Sequence, residues 1–406
     1  MNSNIQNSRR SFLKNLSITG GGLILGISML EDAVALPHIF QPEEIDLIGF
    51  NSYVSIGSDG IINIFSPNPE LGQNIRTSFG MIVADELDAD WNNVRVLQPM
   101  LDARYERQLT GGSGAIPHSW KRLRTAGASA KLLLMTAAAQ QWNVPLEECI
   151  GENSFVIHKP SGKKLSYGSL ASAASKMTLP SEVKLKDPKE FKLIGKNIRN
   201  VENKNIITGK GVFGIDFKRD GMVYATIKRP PAYGLKIKSF DATEAKAVPG
   251  VEDVVAFKNN VAIVGKSTWD VLKAKEKVKV EYEKDKDLES DEDHNRIFST
   301  LMDSDKAIVR RKDGDVETAF KNAAKIIKSE YQCPFIPHNP IEPMNFFAHV
   351  KEDSVELIGP TQTPASARKA VSDLLKIPES KITVEITRLG GGFGRRLKFD
   401  YVVEAS

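Results

Sequence analysis

Cysteine is scarce in this chain, and its scarcity limits the sites that the chain can build. The 406 residues include only two cysteines, Cys149 and Cys333. Two thiols so far apart have no metal-ligand spacing and cannot form the disulfide framework of a small secreted domain. We therefore expect buried or incidental thiols, and the sequence predicts no metal site built from protein side chains.

An excess of charge of one sign is also missing. The 55 basic residues are nearly balanced by 51 acidic ones, and the net charge is +4. Lysines alternate with acids, as in Lys273–Lys277, which is typical of a solvated surface and not of a nucleic-acid interface. The hydrophobic fraction of 41% is that of a globular protein, and the length suffices for two or three domains. We expect no nucleic-acid partner.

A hydrophobic run long enough to cross a membrane is absent as well. The apolar stretch Leu16–Leu30 is interrupted by glycines and falls short of the roughly 20 residues of a membrane helix. It follows Ser8–Lys14 (SRRSFLK), a complete twin-arginine export motif, and precedes Ala33–Ala35, which fits a cleavage site. The sequence predicts a signal peptide and export to the periplasm. Such signals serve proteins that fold before export, often with a cofactor.

Neither common glycine-rich nucleotide motif is present near the carboxyl end. The run Leu389–Arg396 (LGGGFGRR) lacks the G-x-G-x-x-G spacing and the Gly-Lys-Ser/Thr of a phosphate loop. It follows Ile382, Val384 and Ile386, whose alternation with polar residues predicts a strand with one buried face. Glycines at a strand end can press against a ligand and can form an anion-binding nest. Phe393 adds an apolar wall.

The glycine run is therefore interpreted as the floor of a cofactor site. Arg395 and Arg396 would supply charge for phosphate or oxo groups. A tight turn without a ligand is the alternative, because a glycine-rich turn after a strand is common.

Two neighbouring segments carry further functional groups. In Gly359–Pro364 (GPTQTP), Gln362 lies between a predicted strand and a helix that begins at Pro364, so its amide is expected to be free to donate into a cleft. A solvated turn glutamine is the alternative. His338 and Glu342 suggest a metal pair, but the prolines near them exclude the helix that would align them. A structural turn with a buried carboxylate is favoured.

The remaining patterns mix strands and helices. They predict a hairpin over Tyr53–Phe65, an amphipathic helix over Leu71–Leu87 and a long helix after Thr110–Gly114, with Ser119 as its N-cap. A further strand is predicted at Lys325–Tyr331. The fold class that follows is multidomain α+β.

Three of these segments resemble a known family in their order and spacing: Pro337–Asn345, Thr361–Pro364 and Gly390–Arg396. The family is that of the xanthine dehydrogenase/aldehyde oxidase molybdenum hydroxylases. The chain looks most like the large, molybdopterin-binding subunit of the isoquinoline 1-oxidoreductase type. Thr208–Gly250 is similar to the hammerhead domain of that family, and Leu71–Thr77 and Thr110–Ser113 resemble its extra N-terminal segment.

The resemblance implies a domain order. It predicts a signal peptide at residues 1–35, a molybdopterin-binding-like α+β domain at 36–200 and an α/β-hammerhead domain at 201–290. Residues 291–406 would be the first, incomplete part of a molybdenum cofactor-binding domain.

The resemblance also implies a chemistry, the hydroxylation of aldehydes or N-heterocycles with oxygen derived from water. The cofactor would be molybdenum–molybdopterin in its cytosine dinucleotide form, with electrons leaving through [2Fe–2S] clusters on an iron–sulfur small subunit. Gln362 would donate to an oxo ligand of molybdenum and Phe393 would line the substrate channel. The cofactor-binding residues implied are Gln362, Gly391, Gly392, Phe393, Gly394 and Arg395.

Two departures from the family pattern bear on function. Leu397 stands where xanthine-type members carry a substrate-binding glutamate, so a purine-like substrate is not expected. The general-base glutamate of the family would lie beyond Ser406, and the catalytic residue is therefore unknown. We expect the front half of a split or shortened subunit, with a second chain supplying the rest. A non-catalytic remnant and a secreted protein that binds an anionic ligand are the alternatives.

Overall fold

The computed structural model describes residues 49–178, 182–304 and 308–406. The chain divides into two compact units, the first made of residues up to 217 together with 336–406 and the second of 218–335. Both mix helices and sheets, which confirms the α+β class. The predicted boundaries at residues 200 and 290 stay predictions. The predicted signal peptide lies outside the described residues.

The first unit opens on a four-stranded sheet covered by helices. Its strands are paired in the order β1 (Gly49–Asn51), β2 (Val54–Ile56), β3 (Ile62–Phe65) and β4 (Val94–Leu97). Strands β2 and β3 form the predicted hairpin, and β4 runs parallel to β3. Because β3 and β4 are parallel, the chain must cross over between them, and helix α1 (Ile75–Leu87) makes this connection. The rest of this part comprises α2 (Ala115–Trp142), the sheet β5 (Cys149–Glu152), β6 (Phe155–His158) and β7 (Lys164–Ser166), α3 (Tyr167–Ala174) and α4 (Asn203–Ile207).

The long helix α2 begins five residues before the predicted start, because its N-cap is Gly114 and not Ser119. Gly112 and Ser113 have φ angles of 59° and 54°, and Gly114 occupies the N-cap, so the turn is complete before Ala115. Ser119, the predicted N-cap, lies inside the helix, where its buried hydroxyl accepts a hydrogen bond from Arg122 at 2.9 Å. The prediction of Ser119 as the cap was wrong because the left-handed turn ends the loop earlier.

Helices α1 and α2 pack against each other at a glycine. A Cβ at Gly127 would lie 2.4 Å from the carbonyl oxygen of Val83 and 3.0 Å from Cβ of Glu86. The buried carboxylate of Glu86 accepts a hydrogen bond from Nε of Arg124 at 2.6 Å. The close approach of the two backbones depends on the missing side chain.

The second unit has a small core of its own. Its three-stranded sheet has the order β10 (Val251–Phe257), β11 (Asn260–Gly265) and β8 (Tyr224–Lys228). A ribbon pairs β9 (Leu235–Asp241) with β12 (Lys279–Lys284). The helices are α5 (Thr243–Lys246), α6 (Thr268–Lys277), α7 (Asp291–Met302) and α8 (Val316–Lys321). The buried core residues all lie between Ala242 and Val278.

The chain returns to the first unit with a three-stranded sheet. Strand β14 (Val355–Gly359) pairs antiparallel with β13 (Phe347–Val350) and parallel with β15 (Ile382–Ile386). Helix α9 (Pro364–Leu375) connects the parallel strands and begins at the predicted proline. Helix α10 spans Asp400–Ala405.

The predicted strand at Lys325–Tyr331 is not formed. Residues 324–340 lie in neither helix nor strand, because no other strand among the described residues pairs with them. Within the described part of the chain, no helix is both long and apolar enough to cross a membrane.

Replacement of Gly127 by alanine tests the α1–α2 contact. Alanine normally favours a helix over glycine by about 1 kcal/mol, but here the added methyl group would overlap the Val83 carbonyl oxygen. We expect the free energy of unfolding to fall by about 1–3 kcal/mol, measured by urea denaturation. Thr125→Ala, at a half-buried position of the same helix, is the control. An unchanged or raised midpoint for Gly127→Ala would contradict the packing described.

Candidate functional site

The candidate site lies where strands β14 and β15 end. Parallel neighbours end at the same edge of a sheet, which is where open α/β sheets bind ligands. Pro360–Thr363 follows β14 and Leu389–Arg396, the glycine run, follows β15. The two loops meet, since the N–H of Gln362 donates to the carbonyl of Arg396 at 3.0 Å.

Loops from the front of the chain complete this edge. The N–H of Leu389 donates to the carbonyl of Glu70 at 2.9 Å. The N–H of Thr110 donates to the carbonyl of Gln362 at 3.2 Å, and Nε2 of Gln362 donates back to the carbonyl of Thr110 at 2.9 Å. These bonds join residues 252 positions apart. In the sequence, only the family resemblance connects the segments Leu71–Thr77 and Thr110–Ser113 with the glycine run. In the structure the three lie next to one another.

The amide of Gln362 does not point freely into a cleft, as the sequence suggested. Only 4% of Gln362 is exposed, and its NH₂ group is bonded to Thr110. Its side-chain oxygen Oε1 is buried and has no hydrogen-bond partner among the described residues. A buried polar atom without a partner costs about 1–3 kcal/mol, so this oxygen is a candidate contact for a donor on a ligand.

The glycine backbone fits closely around that oxygen. A Cβ at Gly392 would lie 2.6 Å from Oε1 of Gln362 and 3.2 Å from Cδ2 of Leu71. Gly391 and Gly394 have φ angles of 95° and 81°, in the region that favours glycine. The sequence pattern predicted these tight turns, and the structure shows which neighbour requires the missing side chain at Gly392.

Phe393 is held in an unusual conformation. Its φ angle of 48° is left-handed, which costs a bulky residue about 1–2 kcal/mol. The residue is 66% exposed. Strained backbone of this kind concentrates at functional sites. The exposed ring next to Gly391 is consistent with the predicted apolar wall, which stays a prediction.

Glu342 anchors the glycine run from the side. Its buried carboxylate accepts hydrogen bonds from the N–H of Gly390 at 2.7 Å, the N–H of Ile215 at 3.1 Å and Nδ2 of Asn345 at 3.0 Å. The favoured interpretation of this segment as a structural turn with a buried carboxylate is confirmed. The exposed His338 instead lies beside Gly394, 3.2 Å from where a Cβ would stand.

Arg396 does not face a ligand, and the predicted role for it in binding anions was wrong. Its side chain is fully buried and pairs with the Glu342 carboxylate at 3.1 Å. The guanidinium also donates to the carbonyls of Gly391 at 3.1 Å, Pro360 at 3.3 Å and Glu342 at 2.9 Å. Arg396 therefore holds the glycine run together at Gly391 and joins it to Pro360, the residue that follows β14.

Arg395 makes a more exposed ion pair with Asp400. Two parallel hydrogen bonds of 2.8 Å join its guanidinium to both carboxylate oxygens. Burial alone would raise the pKa of Asp400, but the pair with Arg395 outweighs it and leaves this pKa below its usual value. The predicted role of Arg395 in cofactor binding is untested by this geometry.

A second charged cluster, missed at the sequence level, supports the start of the glycine run. The carboxylate of Glu202 bridges the guanidinium groups of Arg76 and Arg388. Burial lowers the pKa of Arg76. No local pattern could have revealed the cluster, because its three members come from distant parts of the chain. Within the three described ranges, no group of three or more His, Cys, Asp or Glu residues is arranged to hold a metal.

Comparison with known proteins agrees with this geometry. Molybdopterin cofactor-binding domain families match residues 25–210 and residues 300–406. Over these two regions the chain belongs to the molybdopterin cofactor-binding domain families. The two matched regions are the ones that the Gln362–Thr110 bonds join.

Curated relatives match along most of this chain. A "Membrane-bound aldehyde dehydrogenase [pyrroloquinoline-quinone]" from Gluconacetobacter polyoxogenes is 29% identical over 98% of this chain and 53% of its own length. The isoquinoline 1-oxidoreductase subunit beta of Brevundimonas diminuta is 27% identical over 88% of this chain and 52% of its own. The chain spans about half the length of these relatives. A solved CO dehydrogenase from Oligotropha carboxidovorans is 25% identical over 52% of this chain and 33% of its own, with a TM-score of 0.39.

The two arginine–carboxylate pairs of the loop, Glu342–Arg396 and Asp400–Arg395, are expected to contribute very different amounts to the free energy of unfolding. Glu342→Gln leaves the buried Arg396 charge uncompensated, and we expect a loss of about 3–5 kcal/mol of stability. Asp400→Asn removes the more exposed partner of Arg395 and should cost about 1 kcal/mol or less. Thermal and urea unfolding of both variants checks the difference. Equal losses would show that the Glu342–Arg396 pair does not anchor the loop.

Proposed function

We propose that the chain is the molybdenum-cofactor-binding part of the large subunit of an oxidoreductase. The enzyme hydroxylates aldehydes or N-heterocycles with oxygen derived from water. The observation that carries the proposal is the buried, unpartnered Oε1 of Gln362 against the side-chain-free backbone of Gly392. It lies where both regions matched by molybdopterin-binding families meet.

The residues present fit a pterin–metal group. Gly391, Gly392, Phe393 and Gly394 would line it with backbone, and the Gln362 side chain would contact it. Such a cofactor supplies the two-electron oxidation of the substrate carbon.

The protein's own contribution is positioning. The carbonyl of Thr110 accepts a hydrogen bond from the side-chain NH₂ of Gln362, and the N–H of Thr110 donates to the backbone carbonyl of Gln362. The two bonds hold the Gln362 side chain in place before a ligand arrives. Gly392 keeps the space in front of Oε1 free of a side chain. Phe393 and Leu71 add apolar surface, which suits the carbon skeleton of an aldehyde or a flat heterocycle. No described residue is proposed as the general base.

The same proposal includes a partner subunit and a cellular location. Electrons would pass to [2Fe–2S] clusters on an iron–sulfur small subunit, and the cofactor would be the cytosine dinucleotide form. A second chain, or further residues of the same one, would supply the other half of the subunit. The twin-arginine motif at Ser8–Lys14 supports export to the periplasm, and one relative is named a membrane-bound enzyme.

A second candidate cofactor is pyrroloquinoline quinone, which the printed name of the Gluconacetobacter relative assigns to that protein. It ranks second because both family matches on this chain are molybdopterin-binding domains.

Cofactor content tests the proposal. The chain, purified from a host with complete pterin biosynthesis, should retain molybdenum by elemental analysis and a fluorescent pterin after oxidative release. Gly392→Ala should lower the molybdenum-to-protein ratio roughly tenfold, which corresponds to about 1.4 kcal/mol of binding, because its methyl group would press on Oε1 of Gln362.

Leu374→Ala, at an exposed position of α9, is the matched control and should retain the cofactor. Circular dichroism checks that both variants fold. A wild-type protein free of molybdenum and pterin would overturn the assignment, and recovery of pyrroloquinoline quinone would replace it by the second candidate.

A further inference from the structure

Three polar side chains at the hairpin of β6 and β7 form a connected group outside the candidate cofactor site. His158 is the last residue of β6, Ser161 lies in the turn that leads to β7, and Glu148 directly precedes β5. Nδ1 of His158 lies 2.6 Å from Oγ of Ser161, and Nε2 of the same ring lies 2.7 Å from Oε2 of Glu148. One imidazole ring therefore joins a hydroxyl group to a carboxylate.

The carboxylate decides which nitrogen of the ring carries the hydrogen. An ionised carboxylate only accepts hydrogen bonds, so Nε2 of a neutral His158 ring donates to Glu148. Nδ1 then keeps its lone pair and accepts the O–H of Ser161. A serine bonded to a base that a third group orients is the arrangement of an activated nucleophile.

The His158 ring is fixed in this position by its surroundings. Only 7% of the residue is exposed, and the centre of its ring lies 6.1 Å from that of Trp142, the last residue of α2. The N–H of His158 donates to the carbonyl of Lys163, and the N–H of Gly162 donates to the carbonyl of His158, both at 2.9 Å. The base and the serine therefore keep their relative orientation before a reagent arrives.

Ser161 is accessible to a reagent from solvent. The residue is exposed. Apart from the two chain neighbours of Gly162, no atom lies within 4 Å of the point where a Cβ of Gly162 would stand. The N–H of Ser161 has no hydrogen-bond partner among the described residues. Such an N–H can donate to the oxygen that becomes negative when a nucleophile attacks an acyl carbon.

We propose that Ser161 is a nucleophile that takes up acyl groups from donors with a good leaving group, namely aryl esters, thioesters or acyl phosphates. Oγ of Ser161 forms a bond to the acyl carbon while its proton moves to Nδ1 of His158. The bond between the acyl carbon and the leaving group breaks, and the leaving group departs with that electron pair. The product is an acyl-serine, and nothing is oxidised or reduced. The site uses no residue of the proposed cofactor site and does not depend on the proposed function.

A purely structural role is the competing explanation. The same hydrogen bonds would tie the hairpin to the segment before β5, and Ser161 would then react no faster than another exposed serine. Ser169 provides the comparison, because it is exposed in the first turn of α3 and its Oγ donates to the carbonyl of Ser166 at 2.7 Å. Its hydroxyl is thus bonded to a carbonyl and not to a base.

Acetylation of the full chain by p-nitrophenyl acetate tests the proposal. Peptide mass spectrometry after short exposures measures the acetylated fraction of each serine. We expect Ser161 to be acetylated about 100-fold faster than Ser169, which is the contribution of a positioned general base. Release of p-nitrophenolate should begin with a burst of about one equivalent per chain.

Substitutions of the base and of the carboxylate tie the reactivity to the group. His158→Gln should lower the acetylation rate of Ser161 to that of Ser169. Glu148→Gln should lower it at least about tenfold, because an amide can turn its oxygen to Nε2 only weakly and its NH₂ group leaves the hydrogen on Nδ1. Ser169→Ala should leave the Ser161 rate and the burst unchanged.

Circular dichroism checks that each variant folds. The Glu148 side chain is 42% exposed, so Glu148→Gln is expected to fold even if the more buried His158→Gln does not. Equal acetylation of Ser161 and Ser169 would overturn the proposal. An unchanged Ser161 rate in folded Glu148→Gln would overturn it as well.

Discussion

The buried ion pair between Glu342 and Arg396 is the interaction on which the candidate site depends. Both side chains are out of solvent, where either charge alone would cost several kcal/mol. Their remaining donors and acceptors are bonded to the backbone of Ile215, Pro360, Gly390 and Gly391. Three segments are fixed by one pair of charges, and the glycine run takes its shape from them.

That anchoring explains how a glycine-rich loop can be rigid. Three consecutive glycines have more conformational freedom than any other sequence and lose more entropy on folding. Here the loop is held at Gly390 by a carboxylate, at Gly391 by a guanidinium and at Arg396 by the N–H of Gln362. Between these points Phe393, in its strained conformation, is the exposed residue of the run, and Gly392 beside it is buried. The strain at Phe393 is tolerated because both sides of it are fixed.

The sequence predicted what local patterns encode. Alternation predicted β15, an Asp-Gly turn the hairpin of β2 and β3, and a proline at the first position the helix that begins at Pro364. Each of these signals depends on residues close in sequence. The glycine run was recognised because the lack of Cβ atoms is visible in the sequence. The prediction for Arg396 failed because whether an arginine meets a ligand or a buried glutamate depends on a residue 54 positions away.

Partners that are distant in sequence account for the other differences. Nothing near Gln362 indicates that Thr110 takes its NH₂ group, and nothing near Glu202 indicates two arginines around it. Lys325–Tyr331 has the composition of a strand, but a strand also needs a neighbour, and the described chain supplies none. Ser119 was a reasonable cap by residue type, whereas the left-handed turn at Gly112 and Ser113 decided where the helix begins.

The bonds between Thr110 and Gln362 have a consequence for the order of events in biosynthesis. A contact that closes over 252 residues forms only after everything between its ends has been synthesised and the loop entropy has been overcome. The front sheet and its helices can fold while the ribosome is still extending the chain. The binding edge itself forms only after this front part, so any group loaded there meets a chain whose first sheet is already folded.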